Sequence, residues 1–290
     1  MTTAEIGIIG GSGLYDMPGL SEREELQLET PWGAPSDSLL LGTLAGVRVA
    51  FLPRHGRGHR LLPGEVPSRA NIFALRQLGV ERVIAVSAVG SLREELPPGR
   101  LVVPDQLVDR TWGRPNTFFG NGVVAHVQFD KPYCADTRSQ LVDAARNTGA
   151  VVGDGGTLVV MEGPQFSTLA ESEFHRAQGW ALIGMTALPE AKLAREAGLC
   201  YATLALVTDY DCWHPAHDTV TVEQVVAVMN ANIAAAQAVL AAVIPTLVGP
   251  RACRCRHALQ GAVMTSPEMI PADAPVRLLL NPQMDTDEHR

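Results

Sequence analysis

The sequence predicts an α/β fold: one domain built on a central mixed β-sheet flanked by helices, followed by an irregular C-terminal tail. Three observations predict it. Short apolar runs that read as buried strands alternate with stretches of helical spacing from the N-terminus to about Pro245. No internal repeat or linker breaks that alternation. From Pro250 to Arg290 the periodicity gives way to a proline-rich stretch with an acidic tip. The expected division is therefore residues 1–249 as the domain and 250–290 as an extension, partly docked and partly irregular. A chain of 290 residues that is 46% hydrophobic can bury one large core.

Glu5–Ile9 reads as the first buried strand and runs into Gly10-Gly11-Ser12-Gly13. Glycines there let the backbone approach a ligand, and exposed N–H groups can hold an anion. The dinucleotide fingerprint fails for want of a third glycine, the P-loop for want of Gly-Lys-Ser/Thr, and the G-x-S-x-G elbow because Leu14 stands at its last glycine. An anion loop with a hydroxyl, or a plain tight turn, is what remains. Ser38–Gly42 and Val47–Pro53 flank a turn at Thr43–Gly46 and predict a hairpin. Its second strand delivers Arg54-His55-Gly56-Arg57-Gly58-His59-Arg60. Arginine forks match phosphate oxygens, and this is the second polar glycine-rich loop to follow a strand, so phosphate binding is preferred to a solvated basic loop. The glycines make a metal-binding helix face through His55 and His59 improbable, and no acid completes such a site.

Pro67–Leu78 has helical spacing with Ser68 as a cap. Arg82–Val86 is a strand ending in the small-residue loop Ser87-Ala88-Val89-Gly90-Ser91, and Leu101–Val108 is a further strand. Trp112–Asp130, which carries His126, is a long irregular excursion of the kind that is usually functional or mobile. Thr137–Thr148 is a helix ended by Gly149. Thr157–Glu162 is a strand leading to Gly163-Pro164-Gln165-Phe166-Ser167, and a helix follows over Thr168–Gln178 with Glu171 as capping-box partner. The strand Trp180–Thr186 precedes a helix with Pro189 in its first turn. The strand Leu199–Val207 then reaches Thr208, Asp209 and Asp211. Extended backbone would put both acids on one side, at the carboxyl end where open α/β sheets bind ligands; solvated loop acids are the plain alternative. Thr221–Ile244 is a long amphipathic helix whose Val222, Val225 and Val226 share a face, as a pocket wall or as ordinary core.

The net charge of −8 argues against non-specific nucleic-acid binding. No apolar run approaches the roughly 18–20 residues that span a bilayer, and the N-terminus lacks a basic leader, so no membrane partner is expected. Five scattered cysteines suggest reduced thiols in the cytoplasm. Cys253-Arg254-Cys255 is too tight for a four-ligand zinc framework and lacks a second pair, so no metal is expected. Should the strand ends at Ser12, Arg54-His55, Ser87 and Asp209-Asp211 converge, they would set an anion cradle opposite carboxylates. That suits phosphate attacking a neutral substrate whose leaving group needs a proton.

In order along the chain, Gly10-Gly11-Ser12-Gly13-Leu14, Arg54-His55-Gly56-Arg57, Gly90–Glu95, Glu162–Ser167, Met185-Thr186 with Pro189-Glu190, and Thr208–Trp213 resemble the trimeric purine nucleoside phosphorylase family, in its methylthioadenosine-cleaving branch. The resemblance runs from about Ile6 to the helix after Val222 and fades beyond Pro245. It implies reversible phosphorolysis of S-methyl-5'-thioadenosine to adenine and 5-methylthioribose 1-phosphate by a homotrimer, with phosphate as co-substrate and no cofactor. A methylthioinosine or general purine nucleoside phosphorylase is the alternative within the family. By the family pattern Ser12, Arg54, His55, Ser87 and Thr186 hold phosphate. Ala88, Phe166, Met185, Asp209 and Asp211 line the nucleoside site, with Asp209 as the acid that protonates the leaving purine. Ser167 and Val222 tune specificity. Val225 and Val226 border the 5' group, with His126 from a neighbouring subunit. Ser12 and Ser87 stand where threonine is common in relatives, and the hydroxyl is kept; Val89 and Ala187 are also departures near the site.

Overall fold

A computed structural model describes residues 4–280 except 12, 15 and 216–220. Its eleven strands form one mixed sheet. The path begins at β2 (Ser21–Leu26), β3 (Leu39–Leu44) and β4 (Val47–Pro53) and passes through β1 (Ile6–Gly10) to β5 (Arg82–Ser91). It continues through β10 (Leu182–Gly184) and β9 (Thr157–Met161) to β7 (Gln106–Arg110). A second branch leaves β5 through β11 (Cys200–Asp209), β6 (Leu101–Val103) and β8 (Val152–Asp154).

β5 is the hub because its ten residues are long enough to serve two halves of the sheet. Its first four residues pair in parallel with Ile6–Ile9, its last two pair antiparallel with Leu182 and Ile183, and β11 runs parallel along it from Arg82 to Gly90. Residues buried on both faces read as near-continuous apolar runs, as β1, β5 and β11 do.

Helices α1 (Ser68–Gln77) and α4 (Ala187–Glu196) cover one face; α2 (Ala135–Asn147) and α5 (Val222–Val243) cover the other. The first face packs Ile72, Leu75, Leu188 and Leu193 with Tyr201 and Val207, and the second packs Leu141, Val239 and Leu240 with Ile8, Ile84 and Leu204. The capping box expected at Thr168/Glu171 forms at α3 (Leu169–Ala177), and Thr221 and Gln224 form another at α5. The hairpin turn holds Ala45 and Gly46 at positive φ, the geometry that matches strand twist.

Several expectations change. Ser68 opens α1 rather than capping it; Pro67 takes the cap position. Ser87–Ser91 is strand, not loop, because β11 pairs with it as far as Gly90. Leu101–Val108 is two strands in different branches of the sheet, split at Pro104-Asp105 where proline withholds a ladder donor. β2 and β8 gave no apolar signal: β2 is highly charged and exposed, and β8 has three residues.

Val222–Leu247 is long and apolar enough to cross a membrane by length and composition, contrary to the sequence reading, with a mean hydropathy of 1.7. Alanines supply much of that value. Ala236, Val239, Leu240 and Val243 are buried in the core, Asn232 Nδ2 donates to the Val207 carbonyl, and Gln237 Nε2 donates to the Gly13 carbonyl. These contacts make it a core helix of the domain.

Beyond Pro250 only one short helix, α6 (Arg277–Leu280), and two 3-10 turns form among the described residues. Ala262, Ile270, Val276 and Leu279 are nevertheless buried, and Val263 bridges to Ala125 in the long excursion.

Candidate active site

The anion side gathers at the end of β4, the middle of β5 and the turn into α4. The Arg54 N–H donates to the Gly10 carbonyl, locking the exits of β4 and β1 together. Ser87 and Thr186, ninety-nine residues apart, meet with hydroxyl oxygens 3.1 Å apart. Arg54 Nη1 donates to the carbonyl of Val86, the residue before Ser87. Three of the expected phosphate ligands are thus neighbours. Ser12 lies outside the described residues. The next residue, Gly13, accepts from Gln237 Nε2 of α5 at 2.7 Å, and a Cβ on it would sit 2.5 Å from Ile233 Cδ1.

Arg54 is not the open fork that the sequence suggested. It is 3% exposed, and its Nε and Nη2 donate to Glu190 Oε1 and Oε2 at 2.5 and 3.1 Å. Glu190 is 1% exposed and also accepts from the Tyr201 hydroxyl at 2.9 Å. Burial works against the guanidinium charge, but Glu190 outweighs it and raises the Arg54 pKa. Of the five guanidinium N–H groups, three are engaged in this way. Arg54 is therefore a fixed positive charge held by an acid beneath it.

His55 Nδ1 donates to the Leu61 carbonyl, 2.8 Å away, and its ring stacks on His59. Burial and then the Arg54 charge lower its pKa to about 4. It is neutral at pH 7, which makes Nδ1 the donor and leaves Nε2 an acceptor.

The acid side forms at the exit of β11. Asp209 is still strand, after a register shift beyond Val207, and Asp211 turns to φ 53°. The backbone is therefore not extended, and alternation does not relate the two acids. Instead the Asp211 N–H donates to Asp209 Oδ1 at 2.8 Å. Burial raises the pKa of both carboxyls. Asp211 Oδ2 is buried without a hydrogen-bond partner among the described residues, and the nearby Ser172 and Ser167 hydroxyls moderate its shift without reversing it.

Thr208 Oγ1 lies 2.7 Å from Asp209 Oδ2 and 3.2 Å from the Val89 carbonyl. One hydroxyl carries one proton. The hydroxyl is shared between the two acceptors, and its bond to Asp209 favours the ionised carboxylate against the larger upward pull of burial. Gly90 makes room for this arrangement: a Cβ there would stand 2.8 Å from Asp209 Oδ1.

Between the two sides lie Ala88, half-buried on β5, and Met185, whose sulfur presses on Gly163 so closely that a Cβ would be 2.5 Å from it. Phe166 is 43% exposed, and Ser167 Oγ lies 3.7 Å from Met161 Sδ. Val222 and Val226 are 63% and 49% exposed. They are not core of this chain, which removes the plain alternative for them. Val225 is half-buried. His126 is exposed on the 112–130 excursion, with its N–H donating to the Ala262 carbonyl; among the described residues no hydrogen bond joins it to the other candidates.

Sequence reasoning missed Arg114. It is buried, pairs with Glu162, and donates to the carbonyls of Met185 and Leu188. It thereby ties the loop carrying Phe166 and Ser167 to the turn carrying Met185 and Thr186. One arginine in an irregular stretch carries no sequence signal for this. Glu190, Tyr201 and Thr208 were also passed over as supports.

Comparison with known proteins adds to the geometry. The phosphorylase superfamily model matches residues 5–245. The chain is 59% identical over 279 residues to S-methyl-5'-thioadenosine phosphorylase of Chloroflexus aurantiacus, covering 96% of this chain and 97% of that one. Among solved structures it is similar to a methylthioadenosine phosphorylase from an antarctic soil metagenomic library, with a TM-score of 0.90 and 47% identity over 96% of this chain and 98% of that one. A mutant adenosine/methylthioadenosine phosphorylase of Schistosoma mansoni, solved in complex with methylthioadenosine, gives a TM-score of 0.83 and 37% identity over 89% and 97% of the two chains.

Proposed function

This chain belongs to the phosphorylase superfamily, and from that membership we propose that it is the pentosyltransferase that phosphorolyses S-methyl-5'-thioadenosine to adenine and 5-methylthioribose 1-phosphate. The observation that carries the reading is Asp209, whose pKa burial raises, at the exit of the strand paired with the one bearing Ser87.

Breaking the N-glycosidic bond leaves positive charge on the ribose and negative charge on the purine. Phosphate held by Ser87, Thr186, His55, Arg54 and Ser12 stabilises the first and then attacks C1'. The Arg54 charge fixed by Glu190 is permanent, and neutral His55 Nε2 accepts from the hydroxyl of a hydrogen phosphate. Asp209 gives its proton to N7, which removes charge from the departing base. Asp211 offers its unpartnered oxygen to a donor on the nucleoside. Ala88, Phe166 and Met185 border the base and ribose, and Ser167 and Val222 set specificity. Val222, Val225 and Val226 suit a methylthio group and leave a 5'-hydroxyl without a partner. Phosphate is a co-substrate, and the residues named supply acid, charge and orientation without a cofactor.

We place the activity in the cytoplasm, where five unbridged thiols persist, and in a homotrimer whose neighbour brings His126 to the exposed valines. Light scattering tests the assembly: a mass of one or two chains would remove His126 from the site.

The deciding experiment is base release with and without phosphate on methylthioadenosine, adenosine, methylthioinosine and inosine. Phosphate-dependent adenine release, fastest from methylthioadenosine, is expected. Release without phosphate would make the protein a hydrolase, and preference for the inosine compounds would remove Asp209 from base choice.

A further inference from the structure

The cysteines that lie scattered in sequence do not lie scattered in the fold. Cys134 holds the cap position of α2, Cys200 is the first residue of β11, and Cys253 and Cys255 come from the C-terminal segment. Their four sulfur atoms all lie within 4.8 Å of one another. The second pair that the Cys253-Arg254-Cys255 spacing lacked is supplied by the body of the domain.

The shape fits a closed metal site. Zinc–sulfur bonds of about 2.3 Å in a tetrahedron put the sulfurs roughly 3.8 Å apart. The Cys200 and Cys253 sulfurs are 3.3 Å apart, far outside the roughly 2.05 Å of a disulfide. Cys134, Cys200 and Cys255 are buried and Cys253 is half-buried, so no face is open for substrate. The surroundings also fit. Thr137 Oγ1 is buried with no nitrogen or oxygen partner. Its hydroxyl and N–H face the Cys134 sulfur. Donors of this kind orient and stabilise a ligating thiolate. Arg254 and Arg256 flank Cys255 and offset the net negative charge of a zinc tetrathiolate.

We propose that Cys134, Cys200, Cys253 and Cys255 bind one zinc ion, which fastens the C-terminal segment to the domain. Two ligands come from the body and two from the segment, so the ion closes a tie that the segment's few short elements make only weakly. Binding releases the four thiol protons to solvent and needs no oxidant; two disulfides would each need a two-electron acceptor. Cys200 opens the ten-residue strand that ends at Asp209, about 30 Å away along extended chain. The site is therefore structural, and its readout is independent of catalysis.

The test is elemental analysis of the full chain, purified without chelator or immobilised metal, together with cysteine alkylation and intact mass under denaturing conditions without reductant. About one zinc per chain is expected, with all five cysteines alkylated once the ion is removed. Cobalt in place of zinc should give the intense visible bands of a tetrahedral thiolate. Cys255→Ser should lose these bands, and Cys212→Ser, outside the cluster, should keep them. If Cys255→Ser does not fold, the cobalt spectrum and zinc content of the unaltered chain decide. Zinc below about a tenth of an equivalent with five free thiols overturns the proposal, and so does a mass showing two disulfides.

Discussion

Asp209→Asn lowers kcat/KM on S-methyl-5'-thioadenosine by roughly 10³-fold, the middle of the range for losing a positioned general acid, and leaves the fold intact. The substitution is nearly isosteric. The amide keeps the contact with Thr208 Oγ1, 2.7 Å away: its oxygen can accept as the carboxylate does, or its N–H can donate and leave Thr208 to donate to the Val89 carbonyl. What disappears is the proton that can be given up. The amide also presents a donor to the purine edge, so the loss should be smaller for 6-oxopurine nucleosides than for methylthioadenosine. Initial rates on methylthioadenosine and methylthioinosine decide: an unchanged ratio of the two would sink the role given to Asp209. Burial raises the Asp209 pKa, so the acid form persists above the ordinary carboxylate range. Activity that needs it falls as pH rises through that raised value, and the asparagine variant should lack this alkaline limb.

Glu190→Ala should be the most destabilising single change at the site. Glu190 and Arg54 are almost fully buried, and removing one partner strands the other's charge inside the protein. Breaking such a pair costs about 3–5 kcal/mol, which lowers the melting temperature by roughly 10 °C for a chain of this size. Tyr201→Phe removes only a hydroxyl donor to the same carboxylate and should cost about 1.5–3 kcal/mol. A Glu190→Ala loss under about 1 kcal/mol, the worth of an exposed pair such as Arg146–Asp143, would show that water or another acid reaches Arg54. Thermal melts with and without phosphate separate the two contributions: phosphate should restore part of the loss in Glu190→Ala, because it supplies a new negative partner.

The parts of this protein that the sequence announced are those with local signatures. Apolar runs mark β1, β4, β9 and β11, and Thr-x-x-Glu and Thr-x-x-Gln mark the starts of α3 and α5. Ser87 and Thr186 were legible as candidates, but their 3.1 Å approach depends on β10 pairing with the end of β5. What stayed hidden is the set of long-range supports. Glu190 lies 136 residues from Arg54, Arg114 reaches from an irregular stretch to the carbonyls of Met185 and Leu188, and the cysteines meet across three segments. No periodicity records such pairings. The acids were misread for another reason: two residues apart reads as one face in an extended chain, and the turn at Asp211 removes that rule.

The charged strand β2 has a consequence for how copies of this chain can meet. It ends the sheet's main path, pairs among the described residues only with β3, and carries Glu22, Arg23, Glu24 and Glu25 on exposed backbone, with a break in register and Glu22 at positive φ. A strand added beside it would have to bring its ladder up to those side chains and across that irregularity. The sheet is thereby closed to growth by strand addition at this edge. Copies of this chain are kept from joining sheets edge to edge through β2, the kind of contact that leads to open-ended fibres.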